Sequence, residues 1–115
     1  MTDYSSPIDH YLQQFHDGGH DGAFFRLLEM DHEILPHLIE RFKNEPKDRI
    51  RAFQLEVIWQ HRQSSVIAFL GQALNAPAQI VWREAFDGLV AFASQAVLDV
   101  LRSARHRHLK IQREA

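Results

Sequence analysis

Eight histidines among 115 residues invite metal or proton-transfer chemistry, since imidazole ligates divalent cations and titrates near neutral pH. Their spacing restricts that chemistry. His16 and His20 would share one face of a helix, but Gly18 and Gly19 lie between them and favour a loop. In that loop, Asp17 to Gly22, the imidazoles of His16 and His20 and the carboxylates of Asp17 and Asp21 are the donor types that suit several divalent ions. His32 and His37 diverge by about 140° around a helix and His106 and His108 by about 160°. His10 and His61 have no ligating neighbour in sequence. The chain has no cysteine, hence no thiolate nucleophile and no cysteine-held zinc. A nucleophile elbow, a phosphate-cradling glycine loop and a spaced zinc motif are all missing from the sequence. The acids Glu29, Asp31 and Glu33 read as charges around a helix N-terminus. These patterns point away from an enzyme, with no cofactor or metal expected. A small metal-dependent or lyase-like enzyme built on the histidine-rich N-terminal loop is the alternative.

The elements that would position these groups are helical. Apolar residues recur in steps of three and four through Ile34, Leu35, Leu38, Ile39 and Phe42, and again through Ile50, Phe53, Val57 and Ile58. The same period continues through Val66, Ile67, Leu70 and Leu74, through Val81, Ala85, Leu89 and Phe92, and through Val97, Leu98 and Leu101. Asp31, Ser64 and Ser94 stand where helices 32–44, 65–74 and the last helix would begin, Pro77 falls at a first helical position, and Pro36 predicts a kink. Upstream, Pro7 to His16 and Ala23 to Met30 read as two further helices. The sequence predicts an all-α protein.

A repeat underlies the pattern. A shift of 31 lays Ile50 on Val81, Leu55 on Phe86, Ile58 on Leu89, Trp59 on Val90 and Leu70 on Leu101; a shift of 32 lays Ile34 on Val66 and Phe42 on Leu74. The unit is a pair of antiparallel helices stacked on a copy of itself. One domain results: N-terminal capping helices in 1–30, repeats in 31–62 and 64–93, a terminal capping helix in 94–108 and a basic tail in 109–115.

The stretch Val81-Trp-Arg-Glu-Ala-Phe-Asp-Gly-Leu-Val90 resembles the second helix of a HEAT repeat, with Val81, Ala85 and Leu89 at its core positions and Trp82 where a basic residue is usual. With Leu55-Glu-Val-Ile-Trp-Gln-His-Arg62 it is similar to small bacterial HEAT-like (PBS-lyase-type) repeat proteins, some encoded beside polymorphic toxins and thought to confer immunity. The resemblance covers residues 33–104 and implies an armadillo-like α–α superhelix of about three HEAT-like helix pairs that binds a protein, such as a basic toxin domain, through its concave face. HEAT-like di-iron hydroxylases carry several His-Glu pairs, and this chain has one, His32-Glu33.

With the periodic positions turned inward, Arg51, Glu56, Trp59, Gln60, Trp82, Arg83 and Asp87 fall towards that concave face. Trp and Arg are frequent binding hot spots. Trp59 and Trp82 could equally fill the seam between repeats, and Glu56, Arg83 and Asp87 could be an exposed ion-pair group. Charge is asymmetric: residues 1–101 hold 14 acids and 8 bases, residues 102–115 hold 5 bases and 1 acid. An acidic body suits a basic protein partner and disfavours nucleic acid, whose phosphates need Lys and Arg on the contacting face. The longest apolar run, Leu89 to Ala93, is far short of a membrane span, and no signal peptide is evident, so the expected place is the cytoplasm. A general scaffold or regulatory adaptor is the other non-enzymatic reading.

Overall fold

The computed structural model describes residues 4–114, with the side chains of residues 5, 97, 101 and 104–114 outside that description. It is all-α. Six helices follow in order: α1 (Ser5–His16), α2 (His20–Glu29), α3 (Leu35–Asn44), α4 (Asp48–Gln60), α5 (Ile67–Ala73) and α6 (Gln79–Glu114). Short 3-10 turns at His32–Ile34 and Ser64–Val66 lead into α3 and α5.

Each turn has a local cause. Asp31 accepts the Glu33 backbone N–H at 3.1 Å and caps the first 3-10 turn. That turn moves the start of α3 to Leu35, so Pro36 sits in the first turn, where its missing N–H costs nothing, and the expected kink gives way to a clean start. Gln63, not Ser64, occupies the cap before the second 3-10 turn. The glycine loop is shorter than expected: Gly18 takes φ +98°, a region open to glycine, and α2 begins at His20.

The helices form three pairs, α1–α2, α3–α4 and α5–α6, arranged in two layers. First helices meet side by side: Arg41 of α3 pairs with Asp9 of α1, and the Phe42 and Phe69 rings of α3 and α5 lie 5.2 Å apart. Second helices α2, α4 and α6 form the other layer, with α4 packed against both neighbours. Between the layers lies one core, in which Ile8, Leu27, Ile34, Leu38, Leu55, Ile58, Leu70 and Val81 are fully buried. The inward residues Ile50, Val57, Ile58, Val81 and Ala85 are buried as their period requires, and Leu89 packs partly buried against them.

One expected boundary is absent. Helix α6 runs unbroken for 36 residues, so Ser94 lies inside a helix and caps nothing. No proline or glycine follows Gly88, and Ala, Val, Leu and Arg carry the helix onward. The expected capping helix 94–108 is therefore a straight extension, and the expected tail 109–115 is its last turns up to Glu114, while Ala115 lies outside the described residues. A helix about 54 Å long at 1.5 Å per residue gives the molecule its extents of 63 × 34 × 25 Å.

Candidate binding face

Helices α2, α4 and α6 bring acidic groups together on one face. His20 opens α2 and places Nε2 3.6 Å from the Glu56 carboxylate on α4. One turn further along α4, the Trp59 indole N–H donates to Glu84 Oε1 of α6 at 2.9 Å. Gly88 permits this approach, because a Cβ there would stand 2.7 Å from Trp59 Cγ. Burial raises the Glu84 carboxyl above its ordinary value; the Trp59 bond opposes that, and the charges of Glu56 and Asp87 add to it. Glu56, Glu84 and Asp87 thus share one electrostatic neighbourhood across α4 and α6.

The sequence-derived candidates divide. Glu56 and Asp87 belong to this neighbourhood, and Trp59 is partly buried in the α4–α6 seam, where its ring also lies 5.0 Å beneath the Arg62 guanidinium. Gln60 is half-buried at the end of α4, and Arg83 is exposed on α6. Glu56 pairs with His20 and not with Arg83. Arg51 lies elsewhere: its Nε donates to the Phe42 carbonyl at 3.4 Å and its guanidinium covers the Phe42 ring at 4.2 Å, so it closes the α3–α4 seam. Its long stem reaches back over the preceding helix, which its position in the period does not reveal. Trp82 is 37% exposed and sits about 160° around α6 from Glu84, away from the acidic face.

Glu84 escaped the sequence reading although a signal existed. The shift of 31 lays it on Phe53, a core position, and a carboxylate at a core position asks for a buried donor; Trp59 supplies one.

The histidine-rich loop does not gather its ligands. Among the described residues no three His, Asp or Glu side chains come together in a group that could hold a metal ion. His20 stays exposed, with Nδ1 2.9 Å from Asp21 Oδ1 and its ring edge-on to Phe15 and Phe53, which stack with centroids 4.0 Å apart. The side chains of His106, His108 and the cations beyond Arg102 lie outside the described residues.

A second polar cluster was invisible in sequence. His61, at the end of α4 and 5% exposed, donates from Nε2 to the Leu27 carbonyl of α2 at 3.2 Å. Its Nδ1 is then an acceptor, met at 3.0 Å by Nδ1–H of His32. His32 Nε2 in turn accepts the Gln63 side-chain amide at 3.2 Å. Each proton position follows from the one before, and the chain ties the linkers of all three helix pairs. Burial holds His61 below its ordinary value, with the Leu27 bond opposing and His32 reinforcing the shift.

Comparisons with protein-family models, curated proteins and solved structures return no match. The function is argued from the face itself.

Proposed function

We propose that the chain is a non-enzymatic protein-binding module that takes a basic partner on the α2–α4–α6 face. The observation that carries this reading is the placing of Glu56, Glu84 and Asp87 on two packed helices, with Glu84 half-buried against the Trp59 indole and its carboxyl raised first by burial and then by its acidic neighbours. Carboxylates kept close against their mutual repulsion favour the approach of positive charge. The face is built on packed helices, so binding loses little to ordering. The HEAT-like resemblance suggests immunity to a co-encoded basic toxin as the specific form; an adaptor without a toxin uses the same surface. Among the described residues no helix is long and apolar enough to cross a membrane.

The test is affinity capture from lysate of the source organism with wild-type bait and with an E56R/D87R bait. A dominant partner held by the wild type, released by salt and lost from the variant supports the reading. Equal recovery on both baits removes this face from it.

A further inference from the structure

Helix α6 carries a second apolar stripe that nothing among the described residues covers. Its first stripe, with Val81, Ala85 and Leu89, faces the core. About 90° around lie Trp82 (37% exposed), Phe86 (53%), Val90 (45%) and Val100 (64%), with Ala93 exposed between them. From Phe86 the steps are four, three, four and three residues through Val90, Ala93, Val97 and Val100, and the sequence continues the spacing at Ala104 and Ile111. Residues 86–111 cover nearly four heptads, the length at which a helical seam becomes a stable pairing element.

The repeat identifies what belongs there. Under the shift of 31, Phe86 and Val90 are the counterparts of Leu55 and Trp59 on α4. Leu55 is fully buried, and Trp59 packs its ring on α6. That face of α4 is covered by a helix; the same face of α6 has none. The last pair of a stack needs a polar outer side or a neighbour, and this one has an apolar side.

We propose that the neighbour is α6 of a second copy, packed antiparallel. Charge selects both the occupant and the direction. The half of α6 on the body, residues 79–101, holds three acids (Glu84, Asp87, Asp99) and one base (Arg83), and the projecting half lies in a segment of net +4 (residues 102–115). Parallel pairing sets the two positive segments side by side. Antiparallel pairing about a centre between residues 97 and 100 lays each positive segment along the other copy's residues 79–101, where acids outnumber bases. The contact is isologous and closes at two copies. The stripe lies on a different flank of α6 from Glu84, so the dimer leaves Glu84 and Glu56 open while Asp87 borders the seam.

Sedimentation equilibrium at 1–100 μM (about this range separates a micromolar dimer from a monomer) is the first test, and a dimer is expected. V90E/V100E places charge on two exposed stripe positions; at least a ~100-fold loss of dimer affinity is expected, with far-UV circular dichroism keeping the body helices. F25E, exposed elsewhere on α2, is expected to leave the dimer intact. The chain has no native cysteine, so a spin label at Q79C reports direction: about 60 Å between copies when antiparallel and about 10–20 Å when parallel. A monomer throughout the range, a dimer indifferent to V90E/V100E, or the short distance each overturns the proposal.

Discussion

Lowering the pH through the histidine range tests the His61 network. Native His61 is neutral: its Nε2–H serves Leu27, its Nδ1 accepts from His32, and burial holds its pKa below the ordinary 6.5. In the unfolded chain His61 titrates at that ordinary value. Below it, the unfolded state binds a proton that the native state refuses, so stability rises with pH in this window and is lost as pH falls from 6.5 towards the native pKa. One proton of difference gives a limiting slope of about 1.4 kcal/mol per pH unit. The comparison variant is H61Q, whose amide nitrogen can reach the position of Nε2 and keep the Leu27 partner. It loses the acceptor for His32, which is exposed enough to turn to water, at a cost of about 1 kcal/mol near pH 7.5. Urea unfolding followed by circular dichroism at pH 7.5, 6.5 and 5.5 measures both. The wild type is expected to lose stability faster than H61Q as pH falls from 7.5, so the gap of about 1 kcal/mol is expected to narrow. Parallel profiles for the two proteins would refute the assignment of a neutral, buried His61.

Three further outcomes follow from individual side chains. W59F removes the N–H bond to Glu84 and part of the seam; a loss of about 2 kcal/mol in urea unfolding at pH 7 is expected. E84Q keeps an acceptor for Trp59 and removes a carboxyl whose pKa is raised by burial and by Glu56 and Asp87, so it is expected to stabilise the fold at pH 7, with the gain vanishing as pH falls to 4.5 and the wild-type carboxyl protonates. Gln54 is fully buried on α4, and neither its Oε1 nor its Nε2 meets a partner among the described residues; Q54M, of similar volume, is expected to raise stability by about 1–3 kcal/mol, read as a higher denaturation midpoint.

Much of the fold was legible because apolar spacing is a local signal. Leu35, Leu38 and Phe42 define α3, and Ile50, Val57 and Ile58 define α4, without knowledge of any neighbour. The missed boundary at Ser94 has an equally local cause. A serine can cap a helix or ride within one, and only a following breaker decides; none follows. Gly88, a poor helix former in mid-helix, is where the Trp59 ring packs against α6.

The site was less legible because its contacts are distant in sequence. His32 and His61 are 29 residues apart and Trp59 and Glu84 are 25 apart, so neither pair leaves a spacing signature. Arg51 and Glu56 both lie on α4, yet one closes a seam behind the helix and the other faces α2. Five residues already set them about 140° apart around the helix, and the long Arg51 stem then reaches back over α3.

The most direct test of the binding face is site-specific photo-crosslinking in cells of the source organism. A photoreactive amino acid replaces Gln60, on the second-helix layer, or Lys43, exposed on α3 in the opposite layer. The account predicts a discrete adduct with another protein from position 60, suppressed by E56R/D87R, and none from position 43. No adduct at position 60, or the same adducts from both positions, would contradict it.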